Sequence, residues 1–264
     1  MTATDPQHRQ HAYRVRLDWG PVGAEAIGPV DIAVVVDVLS FTTTLTVAVE
    51  RGIEVFPFRW RDGRAEAYAR EHDAVLAVQR QDAEPGRPSL SPASLREADG
   101  VRRLVLPSPN GSTISTLLAA GGATVVGASL RNRTAVAEWL APRCADGASV
   151  AFIASGECWP DGTLRPAVED LWGAGAVLDA LDALDALDAL DALDLSPEAA
   201  MARDAFRAAD LPDVLHACAG GRELIARGYA DDVVVAAETD GSSVLPLLHG
   251  RSFRAVTEKV TDPC

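Results

Sequence analysis

The sequence predicts an α/β fold, a three-layer α/β/α arrangement around a largely parallel or mixed central sheet. Two observations carry this. Apolar runs of strand length alternate with segments of helical character along the chain, the pattern of strands joined through crossover helices. One run, "DIAVVVDVL" (31–39), is apolar almost without interruption, as a central strand covered on both faces requires.

Taken in order, strands are expected at "RVRLDW", "DIAVVVDVL", "IEVFPFRW", "AVLAVQR", "RRLVLPS", "TVVGASL", "SVAFIAS", "DDVVVAAE" and "SFRAVTEKV", each short, apolar and rich in β-branched residues. Helices are expected at "TTTLTVAVERG", "GRAEAYAREH", "STISTLLAAGG", "RTAVAEWLAPRC", "AVEDLWGAGAVLDAL" and "GRELIARGY". No strong boundary divides the 264 residues, so 1–264 reads as one domain. The clearest loop is "QRQDAEPGRPSLSPASLREADG" (79–100). A low-complexity run, "LDALDALDALDALDALDL" (178–195), extends the helix expected to start near Ala167. Leucines three apart step about 300° around a helix. They therefore spiral around the cylinder, and no single face can bury them.

The formal net charge of −14 argues against nucleic acid and an anionic membrane surface as partners. No apolar run approaches the ~18 residues of a membrane span, and the amino-terminal stretch lacks the apolar centre of a signal peptide. A cytoplasmic protein is expected, and a homo-oligomer is compatible with the sequence. Cys144, Cys158, Cys218 and Cys264 are widely spaced, without a C-x-x-C pair, which fits reduced thiols and speaks against zinc.

Four strand-to-helix junctions carry chemistry, and in open α/β sheets ligands bind at that end of the strands. In "VVVDVLSFTTT", Asp37 closes a strand, and Ser40, Thr42 and Thr43 follow at a helix start, where a hydroxyl serves as cap or as anion ligand. Leu39 stands where a D-x-D nucleophile motif would place its second acid. In "LPSPNGSTIST", Asn110-Gly111 forms a tight turn, and Ser112 or Thr113 opens a helix whose N–H groups can face an anion. In "ASLRNRTAVAEW", Arg131 and Arg133 flank Asn132 just before a helix, placed to neutralise a substrate anion. In "IASGECWPDGTLRPAVEDLWGAG", Glu157, Cys158, Asp161 and Arg165 precede Glu169-Asp170. A cysteine phosphatase needs C-x5-R, and Leu164 occupies the arginine position.

Together with "CAGGRELIARGYADDV", these stretches, in this order from about Asp31 to Leu248, resemble the 2-phosphosulfolactate phosphatase family. The resemblance implies a magnesium-dependent phosphatase releasing phosphate from 2-phospho-3-sulfolactate, a step toward coenzyme M. It implies a small-molecule anionic phosphoester as partner. Asp37, Glu169 and Asp170 would carry the chemistry and hold Mg²⁺, as hard oxygen ligands suit it. The Asn110-Gly111-Ser112-Thr113 backbone would hold the phosphoryl group, with Ser40, Thr42 and Thr43 behind it. Arg131, Asn132, Arg133 and Arg165 would meet the second anionic group. The sequence departs from the family pattern at Ser40-Phe41, where an Arg-Ala pair is usual, and at Gln79-Arg80-Gln81, where Gly-Glu-Arg is. A homologue that binds an anion without turnover is the alternative.

Overall fold

The computed structural model describes residues 5–59, 63–84, 86–184 and 194–256. The first half forms β1 (Val15–Trp19), α1 (Gly20–Ile27), β2 (Ile32–Val36), α2 (Phe41–Glu50), β3 (Glu54–Phe58), α3 (Gly63–Glu71), β4 (Val75–Leu76), α4 (Pro92–Glu97), β5 (Arg103–Pro107) and α5 (Gly111–Ala120). There follow β6 (Thr124–Ala128), α6 (Arg133–Ala145), β7 (Val150–Ala154), β8 (Glu157–Cys158), β9 (Leu164–Arg165), α7 (Val168–Asp182), α8 (Pro197–Arg207), α9 (Asp213–Ala217), α10 (Ala219–Ala226), α11 (Ala230–Ala236), β10 (Pro246–His249) and β11 (Ser252–Ala255).

Among the described residues, nine strands make one mixed sheet in the order β1-β7-β2-β6-β10-β11-β3-β5-β4, the α/β fold the alternation predicts. Two parallel blocks, β1-β7-β2-β6 and β3-β5-β4, are joined through the antiparallel β10–β11 hairpin. The apolar run becomes β2, buried at every position between β6 and β7. Its side chains alternate between faces. Val34 and Val36 pack with Phe152 among residues of α6, α7 and α8. Ala33 and Val35 pack with Phe41, Leu45 and Ile114 of α2 and α5. The latter cluster also holds Val55, Leu104 and Leu106 of the second block. The two blocks therefore share α2 and α5, and the segments that follow β2 and β5 meet where the Gly111 N–H donates to Asp37.

One expected strand is corrected. "DDVVVAAE" is helix α11, with Val233 and Val235 buried and Val234 exposed. A short apolar run bounded by polar residues does not distinguish strand from buried helix by periodicity, and its two leading aspartates suit a helix amino terminus. "AVLAVQR" shrinks to β4 plus the single bridge Val78–Ser89. Helices α4 and α8 open on Ser-Pro pairs that sequence patterning passes over. Ser91 accepts from Ser94 N and Ser196 from Ala199 N, each at 3.2 Å, with proline at the first helical position.

The helix expected near Ala167 is α7, and it takes in the first Leu-Asp-Ala units. Leu178 and Leu181 are fully buried, while Asp179 and Asp182 pair outward with Arg207 and Arg203 at 2.7 and 2.8 Å. Residues 185–193 of the repeat lie outside the described residues. Close packing of α7 on α8 depends on Gly175, where an added Cβ would stand 2.0 Å from Ala202 O. Because a backbone carbonyl cannot rotate aside, Gly175→Ala is expected to cost about 1–3 kcal/mol. Urea unfolding of the variant checks this.

Candidate active site

Asp37 follows β2 directly, and its side chain is buried. Oδ1 accepts the Phe41 N–H at 3.0 Å and Oδ2 the Gly111 N–H at 3.1 Å. Those residues open α2 and α5, so one carboxylate caps two helices, where unpaired N–H groups favour negative charge. This is the local reason that β2 ends on an acid. The hydroxyls expected beside a ligand instead brace the turn. Thr42 Oγ1 donates to Asp37 O at 2.8 Å and accepts from Asp37 N at 3.0 Å. Thr43 Oγ1 donates to Val38 O at 2.7 Å. Both threonines are fully buried. Ser40 makes no cap of its own; its Oγ accepts from Arg80.

Glu169 and Asp170, at the start of α7, do different work. Asp170 accepts from Val38 N at 2.7 Å and Gly156 N at 2.8 Å. It thereby ties the loops after β2 and β7 to α7. Glu169 faces the first turn of α10, so closely that a Cβ on Gly220 would stand 2.1 Å from its Oε1. The neighbouring Gly221 is as tightly required, its Cβ position 2.0 Å from Leu215 O. Both glycines of the "CAGG" stretch thus have a packing reason. Cys218 caps α10 through Sγ, 3.3 Å from Gly221 N, and burial, with Glu169 beside it, pushes its thiol up to about 11.

A cavity of about 410 Å³ opens at this end of β2, β5 and β7. Its walls carry Asp37, Glu157, Glu169 and Glu223, together with Arg80, Arg165 and Arg227. Asn110 Nδ2 donates to Glu157 Oε2 at 3.2 Å. Arg165 lies 3.9 Å from Glu223 and 5.7 Å from the centre of the Trp159 ring, while Arg227 pairs with Glu223 at 2.9 Å. Burial, then the charge of Glu157, pushes the Asp37 carboxyl up to about 7. Burial and the Asp37 charge raise Asp170 well above the usual carboxylate range. Burial also raises Glu157. Negative charge is therefore held at cost beside the cavity.

Of the residues predicted from sequence, the cavity brings together Asp37, Ser40, Asn110, Arg165 and Glu169. The others lie elsewhere. Arg131 is buried and paired with Glu50 at 2.9 Å and with Glu238. Asn132 bonds Ser129 N at 2.9 Å and the carbonyls of Gly127 and Val244 at 3.2 Å. Arg133 pairs with Asp240 at 2.9 Å and Asp179 at 3.4 Å. This corrects the anion-binding role expected of the three, because they lie off the cavity wall and their charges and amide are engaged by partners within the fold. Likewise Ser112 Oγ donates to Leu106 O, Gly111 N–H is engaged by Asp37, and Thr113 is half-buried on α5, off the cavity wall. Arg80, Glu157 and Arg227 are cavity residues that sequence reasoning leaves out of the site. Glu157 stands beside Cys158, Arg80 within the Gln79-Arg80-Gln81 departure and Arg227 within "CAGGRELIARGYADDV", all stretches already singled out, but nothing local to them points to the cavity.

Cys158 also lines the cavity, its Sγ 3.9 Å from Asn110 Oδ1. No base or carboxylate bonds to it among the described residues, so Cys158→Ser is expected to keep activity within about twofold, measured as initial rates of phosphate release. A larger cleft of about 790 Å³ lies at the amino ends of β3 and β5. There Arg103 and Arg254 pair with Glu54. Strand amino ends lack the helix amino termini that gather ligands in such sheets, and the 410 Å³ cavity is the better site despite its smaller size.

Among the described residues, no group of three or more His, Cys, Asp or Glu side chains converges closely enough to hold a metal by itself, and no helix is long and apolar enough to cross a membrane. Fold and cavity define an α/β protein with a strand-end pocket lined by both carboxylates and arginines. Residues 24–251 match the family described as 2-phosphosulpholactate phosphatase, and this chain belongs to that family. No curated protein matches it.

Proposed function

We propose that the chain is a magnesium-dependent phosphatase acting on a small acidic phosphomonoester, 2-phospho-3-sulfolactate or a related phosphorylated hydroxy acid. The observation that carries this is a strand-end cavity, in a chain of that family, whose wall gathers Asp37, Glu157 and Glu169 together with three arginines. A substrate with phosphate and a second anionic group needs such cations to offset the negative charge of the chain.

Magnesium takes one or two carboxylates, completing its shell with water and phosphate oxygens. A ready-made trio of acids is not required, and hard oxygen donors crowded at electrostatic cost fit it. Asp37 and Glu169 would hold it, because both line the cavity and Asp170 does not. When bound, the ion supplies charge neutralisation at the phosphoryl oxygens. Arg80 would hold the phosphoryl group, and Arg165 and Arg227 the second anion. Glu157, kept protonated more readily by its burial, is suited to give a proton to the departing alkoxide.

Two features favour the alternative of an anion-binding homologue without turnover: among the described residues no three acids converge to hold a metal, and the Gly111 N–H is already engaged. Phosphate release from a panel of phosphorylated hydroxy acids, with and without magnesium, separates the two. Magnesium-dependent turnover of one of them is the expected result. Retained anion binding with no turnover of any would establish the alternative.

A further inference from the structure

We infer that Asp232 is a positioning residue, which holds the Arg80 guanidinium at the anion cavity. It rests on the phosphatase reading only in taking this cavity as the place where phosphate binds. The "ADDV" motif contributes nothing to the cavity wall, yet its second aspartate is almost wholly buried on α11. Its Oδ2 accepts Arg80 Nε at 2.8 Å. Its Oδ1 accepts from Ser91 Oγ and from Ala93 N, the latter at 3.3 Å. Ser91 is in turn the cap of α4. Oδ1 is thus held by Ser91 and Ala93 independently of Arg80, which leaves Oδ2 oriented to receive one edge of the guanidinium.

The fork geometry of arginine gives this arrangement its point. Binding through Nε alone leaves N–H groups of the terminal nitrogens for other acceptors. One of them donates to Ser40 Oγ, on the cavity wall, and the Tyr229 ring lies 5.8 Å from Arg80 Cζ. Arg80 is only 18% exposed, and its charge reaches Asp37, lowering that carboxyl against the burial that raises it. Arg80 sits in a segment of loop and short turn, where an untethered arginine would lose rotamer freedom on every binding event. The clamp removes that cost in advance.

A purely structural staple between α11 and α4 would use the same bonds, so the test must separate the two. The full-length protein is titrated calorimetrically with inorganic phosphate in the presence of magnesium chloride, as wild type, Arg80→Ala, Asp232→Asn and the double variant. Asparagine keeps the acceptor for Ser91 and Ala93 but turns an N–H toward Arg80 Nε. Asp232→Asn and Arg80→Ala are each expected to weaken phosphate binding about tenfold, the scale of one charge-assisted hydrogen bond. In the Arg80→Ala background, Asp232→Asn should change nothing further. An Asp232→Asn effect of equal size in both backgrounds, or none in the wild-type background, overturns the inference. Should Asp232→Asn not fold, Arg80→Lys decides. It keeps the charge and loses the fork, and wild-type affinity in that variant overturns the clamp. Turnover of phosphomonoesters by the wild type is measured beside these titrations. Its absence would remove the phosphatase reading and leave the clamp standing, whereas a wild type that binds no phosphate removes both the cavity assignment and the clamp.

Discussion

Asp37→Asn folds, and loses magnesium-dependent phosphate release by about 10²-fold or more, the scale seen when a metal or oxyanion contact is removed. The substitution is isosteric. Its oxygen can still accept one of the two N–H groups, Phe41 or Gly111, that the carboxylate holds. The lost bond costs about 1 kcal/mol, and removal of a buried charge offsets it. A second readout concerns pH. In the metal-free protein the Asp37 carboxyl stands at about 7, against about 3.9 in an unfolded chain. The folded state therefore holds the proton more tightly between those values, and stability falls as pH rises through them. The stabilisation is fully present below about pH 4 and is lost by about pH 7, at most about 4 kcal/mol. Asp170 titrates in concert with it. Urea unfolding at pH 5 and pH 8 should show the wild type less stable at the higher pH, and Asp37→Asn should flatten that difference. Full activity in the variant, or an undiminished pH dependence, contradicts the assignment.

Gly111→Ala is expected to produce the largest stability loss at the site. A Cβ there would lie 2.2 Å from Phe41 Cδ1 and 2.9 Å from Asp37 Oδ2. Phe41 is fully buried and meets Phe253 edge-on, with ring centres 6.3 Å apart. Neither the ring nor the capped carboxylate can move without opening the join between the two blocks of the sheet. Overpacking costs about 1–3 kcal/mol, and the strained Gly111–Asp37 bond adds to it, giving a fall in Tm of roughly 5–10 °C. Gly63→Ala is the control, because a Cβ there meets nothing within 4 Å. Scanning calorimetry of both variants checks the contrast. A Gly111→Ala protein as stable as the control would mean that the two helix starts do not converge on Asp37.

Much of this architecture was legible because it depends on local patterning. The β2 run, the Asn-Gly turn and the position of Asp37 all follow from a strand that must be buried and a helix that must begin. The residues that stayed hidden act across long separations. Arg80 finds Asp232 across 152 positions and Ser40 across 40, and no periodicity records such meetings. Arg131 and Arg133 were misleading for the complementary reason. An arginine before a helix at the strand-end side of a sheet looks like an anion ligand until the acids that neutralise it, Glu50, Glu238 and Asp240, are brought alongside by folding. The "DDVVVAAE" segment shows the limit of hydropathy itself: three valines suit a strand, but Asp232 has its partners only when the segment is a helix.

The most direct measurement is a crystal structure of the full chain grown with magnesium chloride and inorganic phosphate. The account predicts phosphate bonded to Arg80 in the 410 Å³ cavity, with a metal ion on Asp37 between it and the carboxylate wall. Phosphate bound instead among Arg102, Arg103 and Arg254 at the opposite end of β3 and β5, with the cavity beside Asp37 holding only water, would contradict it.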